Sequence, residues 1–260
     1  MEITLTQGLL LALVAFICGI DAHWEVFFVF RPIVTAFLTG IVLGDVALGL
    51  QAGAIAELAY LGLTTIGGTV PPNPLVAGMM TVVIAHTTGQ SPEAALGLSL
   101  PFALLMQWIL VFYNTSFAGF LRLLDRDAAL GETKKFMNTV MLGTWITAAT
   151  YALVIFLSAY AMQQPIAAFV STFPEWLVQG FRVAGGLLPG VGLALLLRSM
   201  LNINNLPFLL IGFLMASYMS LNGVLPIAIA AFAIALLVFL KDREAAKLQA
   251  AADGGNQDGI

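Results

Sequence analysis

Five strongly charged side chains lie within apolar segments of this sequence and are the first candidates for chemistry: Arg31, Asp45, Glu57, Arg182 and Arg198. A charged group is unfavourable among the apolar residues of a membrane segment. A charge at such a position is therefore a better indication of a functional site than a charge on the protein surface. The three arginines lie near segment ends, where a long side chain can extend to water or pair with an acid. Glu57 lies about ten residues from either end of its run, so its carboxylate cannot easily reach water.

The spacing around Glu57 indicates one helix face. Asp45, Gly49, Gly53 and Glu57 follow one another at intervals of four residues, which places them on a single, slowly drifting face if the segment is helical. Glycines on such a face allow another backbone, or a ligand, to come close. Two interpretations stay open. We favour a polar ligand site reached along a close-packed seam; the alternative is a packed glycine stripe in which a neighbouring arginine holds Glu57.

A second candidate follows in the stretch GGTVPPNP, residues 67–74. Its three prolines remove backbone donors, and the residue before a proline is pushed toward an extended conformation, so no helix can continue through it. Gly67 and Gly68 can adopt backbone angles closed to other residues. We expect this stretch to leave backbone groups and the side chains of Thr69 and Asn73 unpaired unless a ligand fills the gap.

Together with Glu57, this loop is interpreted as a clamp for the hydroxyl groups of a sugar, which presents both donors and acceptors. Gln107 lies within a later apolar run and either lines the same cavity or makes a hydrogen bond between helices. The predicted substrate-binding residues are Glu57, Gly67, Gly68, Thr69, Asn73 and Gln107.

The sequence offers no catalytic centre. His23 and His86 stand in separate segments, without a His or Cys partner at metal-binding spacing, and no Walker or Gly-rich nucleotide motif is present. The single cysteine, Cys18, is expected to be a packed thiol. We therefore expect no catalytic residue, no metal site and no cofactor, and the net charge of −4 excludes a basic nucleic-acid surface.

These candidates must be positioned by membrane helices. The chain is 60% hydrophobic and 9% charged, whereas a soluble domain carries about 25% charged residues. Apolar runs of roughly 17 to 25 residues recur, so the fold class is an all-α polytopic membrane protein. The runs at 75–89 and 208–221 are too short to cross a bilayer and indicate broken or re-entrant helices around a cavity.

Polar interruptions divide the chain into four parts. An N-terminal membrane half, 1–121, contains the sugar-binding loop, and a second membrane half covers 136–240. Between them lies a polar loop, 122–135, and a tail at 241–260 is expected to be disordered. Both polar segments carry basic residues, so the positive-inside rule places them in the cytoplasm.

Several stretches together resemble one known family: MEITLTQGLLLALVAFICGID at the N-terminus, then FRPIVTAFLTGIVLGD, GAIAELAYLG and PPNP, and PEWLVQGFRVAGGLLPGVG in the second half. The pattern is similar to the IIC components of the mannose family of the bacterial phosphotransferase system. The likeness covers nearly the whole chain. Within the family it is nearest to the permeases for N-acetylgalactosamine.

The resemblance implies a multi-pass subunit of the bacterial inner membrane that imports N-acetylgalactosamine or galactosamine. Such a IIC pairs with a membrane IID subunit in a trimer of heterodimers, and a core domain carries the sugar by an elevator-like movement against a scaffold domain. The phosphoryl group comes from cytoplasmic IIA and IIB carriers, with the transferring histidine on IIB. The sugar-binding region of the family falls on Glu57 and the GGTVPPNP loop, where the neutral Asn73 argues against mannose.

Two other functions fit the residues alone. A proton- or sodium-coupled secondary sugar transporter would use Glu57 as its coupling carboxylate. A structural membrane subunit would bind no ligand and would tolerate substitutions of the polar residues.

Overall fold

The computed structural model of the chain describes residues 2–63, 70–219 and 223–254, and all regular structure in these ranges is helical. The chain divides into two compact units, residues 1–199 and 200–260. The α-helices of the described ranges are α1 Leu5–Trp24, α2 Pro32–Leu43, α3 Val46–Tyr60, α4 Pro74–Thr88, α5 Pro92–Ser116, α6 Ala118–Ala129, α7 Thr133–Phe156, α8 Gln163–Ser171, α9 Glu175–Met200, α10 Leu206–Tyr218 and α11 Leu225–Gly254. A π-helical turn, Leu157–Ala161, extends α7.

The apolar helices of the described residues fall into two length classes, which leave out α6 and α8. Five are long and apolar enough to cross a membrane: α1, α5, α7 with its π turn, α9, and the part of α11 from Leu225 to Ala245. Four apolar helices, α2, α3, α4 and α10, are shorter. Helix α4 has 15 residues, so it is about 22 Å long, less than the roughly 30 Å of a bilayer core. The all-helical membrane fold with short, broken helices is thus confirmed.

Two of the short helices cover less of the chain than the apolar stretches of sequence that contain them, residues 26–44 and 46–66. Helix α2 begins only at Pro32, because residues 25–31 form a turn in which Glu25 and Phe28 adopt left-handed backbone angles. Helix α3 ends at Tyr60. An apolar composition alone does not reveal the first of these turns, since residues 26–30 are all apolar.

Helix α4 is the centre of the first unit. Every side chain from Leu75 to Ala85 is buried, and the helix packs against α2, α3 and α5. A short helix surrounded by protein keeps its ends away from lipid, where unpaired backbone groups would be strongly destabilising. Cys18 is buried in the same core, as a packed thiol should be.

Helices α2 and α3 meet along a seam of glycines. A Cβ atom on Gly49 would lie 2.9 Å from the Cα atom of Gly40, and one on Gly53 would lie 3.0 Å from the Cβ atom of Ala36. Side chains larger than hydrogen therefore have no room at these positions. The close-packed face expected from the four-residue spacing is present.

The loop at 122–135 is not a boundary between compact units. Helix α6 occupies most of it, and α7, which follows, packs along α1. The first predicted membrane half and residues 136–199 of the second therefore lie in the same unit, and the division between units falls near residue 200. The expected disordered tail at 241–260 is helical as far as Gly254, and residues 255–260 lie outside the described ranges.

Candidate functional site

Glu57 is held by an arginine from the neighbouring helix. The Nε atom of Arg31 donates to Oε1 of Glu57 at 2.8 Å, and its Nη2 atom donates to the same oxygen. The backbone N–H of Ile33 donates to Oε2 of Glu57 at 3.3 Å. The ion pair is only partly exposed, with 27% of the Arg31 side chain and 18% of the Glu57 side chain accessible.

This arrangement has the geometry of the alternative interpretation of the glycine face, in which an arginine neutralises Glu57. Asp45, at the other end of the face, caps α3, because its carboxylate accepts from the backbone N–H of Leu48 at 2.9 Å. Gly49 and Gly53 pack against α2. Asp45, Gly49 and Gly53 thus have structural roles. Of the four residues, only Glu57 binds a side chain, that of Arg31, that can contact a ligand.

The PPNP segment interrupts the chain as expected, but Asn73 is not left unpaired. Its Oδ1 atom accepts from the backbone N–H of Val76 at 3.0 Å and so caps α4, while Nδ2 donates to the hydroxyl of Tyr151 at 2.6 Å. Its backbone N–H donates to the carbonyl of Ala103 at 3.1 Å. An asparagine before a proline at the first helical position is a strong capping arrangement, which explains why the loop ends here.

The remaining predicted residues flank the described part of this loop. Gly67, Gly68 and Thr69 lie outside the described residues. The Nε2 atom of Gln107 donates to the carbonyl of Val70, and its Oε1 atom is buried without a hydrogen-bond partner among the described residues. Gln107 therefore supports the loop from α5 rather than bonding another helix.

A cavity of about 290 Å³ opens beside these groups. It is bounded by the C-terminal ends of α1 and α3, the turn at 25–31, the segment leading into α4, and single residues of α5 and α7. The side chains that line it are Ala22, Glu25, Phe28, Phe30, Arg31, Tyr60, Leu63, Val70, Pro71, Asn73, Pro74, Leu75, Leu110 and Tyr151. The volume is at the lower end of the range for small-molecule sites.

The lining combines aromatic rings with a few polar groups. The rings of Phe28 and Phe30 lie with their centroids 5.8 Å apart. The hydroxyl of Tyr60 is buried and has no hydrogen-bond partner among the described residues. A buried hydroxyl without a partner is unfavourable, so a ligand that satisfies it gains affinity there.

Among the described residues there is no group of three or more His, Cys, Asp or Glu side chains that could hold a metal ion. The cavity lining instead includes Arg31, Glu25, two tyrosines, the amide of Asn73 and aromatic rings. Such a set can bind a polar, uncharged molecule and orient it.

Comparison with known proteins identifies the family of this chain. Residues 5–237 match the family model described as the PTS system sorbose-specific IIC component. The chain belongs to this IIC family of the phosphotransferase system. It is 43% identical to the N-acetylgalactosamine permease IIC component 1 of Escherichia coli K12, over 99% of this chain and 97% of that protein. It is 28% identical to the mannose-specific EIIC component of the same strain, over 86% of this chain and 85% of the relative.

Solved structures share the fold of this IIC chain. A chain of the cryo-EM structure of the mannose transporter ManYZ with microcin E492 is 25% identical, with a TM-score of 0.59 over 92% of this chain and 97% of that one. A second structure, described as a membrane protein, is also 25% identical over the same shares, with a TM-score of 0.83.

The family settles several expectations from the sequence. The chain is a IIC transport subunit, and other components of the phosphotransferase system transfer the phosphoryl group. It is a multi-pass protein of the bacterial inner membrane. The comparisons give no support to the ion-coupled transporter that the residues alone left open.

Several residues of the IIC cavity carry no clear signal in the sequence. Tyr60 and Tyr151 lie in apolar runs, where an aromatic residue is ordinary. Asp21 does not line the cavity but holds the turn beside it, and it is an acid at the end of an apolar run, a signal that the sequence analysis did not use. Its carboxylate is buried and accepts two backbone N–H groups of the turn at 25–31.

Asn73→Ala is expected to lower the thermal unfolding midpoint of the IIC complex, because α4 loses its cap and Tyr151 loses a donor. Loss of a helix cap destabilises by about 1 kcal/mol, and loss of a buried hydrogen bond by a similar amount, about 1 kcal/mol. Asn73→Ser is the matched control, since a serine hydroxyl can cap α4 but is too short to replace the amide donor. The midpoints of both variants are measured by thermal unfolding followed by size-exclusion chromatography. Equal midpoints for Asn73→Ala and Asn73→Ser would contradict a capping role.

Proposed function

We propose that this chain is the translocating subunit of a phosphoenolpyruvate-dependent importer of an amino sugar, N-acetylgalactosamine or galactosamine. The observation that carries the proposal is the similarity to the N-acetylgalactosamine permease IIC component 1, which extends over almost the whole length of both chains. The identity to the mannose-specific component is considerably lower.

The charges of the cavity support a neutral ligand. The guanidinium of Arg31 is already committed to Glu57, and Glu25 adds a second carboxylate to the lining. An anion such as a sugar phosphate would meet a site with no spare positive charge among the described lining residues. An unphosphorylated sugar fits these charges, and its phosphorylation by the IIB partner would then disfavour rebinding.

The shape and chemistry of the cavity also support a sugar. Aromatic rings such as those of Phe28 and Phe30 pack against the apolar face of a pyranose ring, and Tyr60 offers a hydroxyl that needs a partner. In this proposal Glu57 acts through Arg31, and Asn73 and Gln107 hold the loop. Gly67, Gly68 and Thr69, which lie outside the described residues, stay predicted substrate-binding residues.

The assembly is part of the same proposal. The IIC chain would pair with a IID membrane subunit in a trimer of heterodimers and receive the phosphoryl group through IIA and IIB. The fold shared with a chain of the mannose transporter ManYZ supports a transporter of this kind. An elevator-like movement of a core domain against a scaffold domain would carry the sugar across the bilayer.

Uptake by membrane vesicles tests the mechanism. Vesicles that contain the complex are expected to accumulate phosphorylated sugar only when phosphoenolpyruvate and the soluble carriers are supplied. An imposed proton or sodium gradient should have no effect. Accumulation of unmodified sugar in response to such a gradient would contradict the phosphotransferase mechanism and favour Glu57 as a coupling carboxylate.

Competition binding tests the substrate. We expect unlabelled N-acetylgalactosamine to displace the labelled sugar from the purified complex, whereas mannose at the same concentration leaves it bound. The physical reason is that the cavity must accommodate an N-acetyl or amino group that mannose lacks, so mannose leaves polar groups of the site unpaired, which weakens binding by about tenfold or more. Displacement by mannose at equal concentration would overturn the substrate assignment.

A further inference from the structure

The turn between α1 and α2 forms one wall of the cavity. Four of its side chains line the space: Glu25, Phe28, Phe30 and Arg31. Arg31 is also the first polar contact of Glu57. The conformation of this short turn therefore determines the positions of the Phe28 and Phe30 rings and of the Arg31–Glu57 ion pair relative to a ligand.

Asp21, which does not line the cavity, fixes this turn. One oxygen of its buried carboxylate accepts from the backbone N–H of Phe27 at 2.7 Å, and the other accepts from that of Val29 at 2.7 Å. Its backbone carbonyl accepts from the N–H of Glu25 at 2.6 Å. Hydrogen bonds from backbone N–H groups to a carboxylate are among the stronger ones in proteins, so a single residue holds the turn at three points.

The turn needs such an anchor because its backbone is unfavourable. Glu25 has a φ angle of 51° and Phe28 one of 58°, a region that residues with a Cβ atom rarely occupy. Two left-handed residues within four positions persist only where surrounding contacts compel them. The bonds from Phe27 and Val29 enclose Phe28, so they act directly on the second of these residues.

We propose that Asp21 is a positioning residue for substrate binding: its carboxylate holds the turn at 25–31 so that Phe28, Phe30 and Arg31 face the bound sugar. The inference rests on the proposed function, since it assigns the cavity to the sugar. It adds a residue outside the cavity that sets the affinity. Phe28 and Phe30 supply the apolar surface, and Arg31 supplies donors whose direction Glu57 limits.

Asp21→Asn in the co-purified membrane complex tests the inference with two measurements. Amide hydrogen exchange in a peptide covering residues 25–31 reports the anchor without any sugar, and we expect faster exchange, because an asparagine offers only one uncharged acceptor oxygen. Equilibrium binding of labelled N-acetylgalactosamine reports the site, and we expect the Kd to rise about tenfold or more. Val26→Ala is the matched control, since this exposed side chain of the same turn does not line the cavity.

A second variant, Phe28→Gly, tests whether the turn at 25–31 contacts the sugar, and it serves if Asp21→Asn fails to fold. Glycine adopts the left-handed angle readily, so this variant should fold at least as well as the parent while its Kd rises because the ring is gone. Faster exchange with an unchanged Kd in Asp21→Asn, or an unchanged Kd in Phe28→Gly, would overturn the inference while the proposed function stands. If the parental complex binds no sugar at all, the proposed function fails and the inference with it.

Discussion

Glu57→Ala is expected to abolish sugar uptake while the subunit stays in the membrane. The substitution leaves the partly buried guanidinium of Arg31 without its ionic partner, and an uncompensated charge away from water is strongly unfavourable. Arg31 would turn toward other acceptors, and the cavity would lose the fixed donors on its wall. Uptake in vesicles and the amount of IIC subunit in the membrane fraction are the two measurements.

Glu57→Gln distinguishes a role in sugar binding from a role in packing. The amide preserves the volume and one acceptor, so simple packing predicts near-normal binding. If the charge of Glu57 is needed to hold Arg31 toward the sugar, binding should weaken by about tenfold, since charge-assisted hydrogen bonds contribute roughly 1.5 to 3 kcal/mol each. Glu132→Gln is the matched control, because Glu132 forms an exposed pair with Lys135, and such pairs contribute about 0 to 1 kcal/mol.

A double variant, Arg31→Gln with Glu57→Gln, completes this prediction. Removing both charges leaves no unpaired ion, so thermal stability should recover relative to Arg31→Gln or Glu57→Gln alone. Sugar binding should not recover, because the donors of Arg31 are gone. Recovery of both stability and binding would mean that the pair is only structural, and parental transport in Glu57→Gln would place the sugar site elsewhere.

The sequence predicted well those features that depend on neighbouring residues. Prolines and glycines act locally, so the boundaries of α4 could be read from Pro74 at its first turn and from Gly89 after its last. Hydropathy likewise identified the long spans and the short runs at 75–89 and 208–221. Helix periodicity predicted the face with Gly49, because a spacing of four residues has a geometric consequence whatever the partner is.

The partners of the polar groups could not be predicted in the same way. Arg31 and Glu57 are 26 residues apart, and Asn73 and Tyr151 are 78 apart. Which side chains meet over such separations depends on how helices pack, and no local pattern encodes it. The unpaired Asn73 expected from the sequence was an error of this kind, since the loop was considered without the start of α4 or the hydroxyl of α7.

Without a second membrane subunit, the IIC chain is expected to be unstable or inactive. Helix α10 has 13 residues, so it is about 20 Å long and cannot cross a bilayer core of roughly 30 Å. A helix of this length inside a bilayer leaves backbone polar groups of its ends at membrane depth, where lipid offers no hydrogen bonds. Within the described residues of its own unit, only α11 packs against this helix, and a single neighbouring helix cannot surround both of its ends.

Expression of the chain alone and together with a IID subunit, its proposed partner, measures this dependence. With the partner, we expect a monodisperse detergent-solubilised complex that binds N-acetylgalactosamine; without it, we expect aggregation, degradation or loss of binding. Co-expression with an unrelated membrane subunit controls for the burden of producing two proteins. A monodisperse monomer that binds the sugar by itself would contradict the prediction, and it would mean that lipid, water or the remaining residues satisfy the ends of α10.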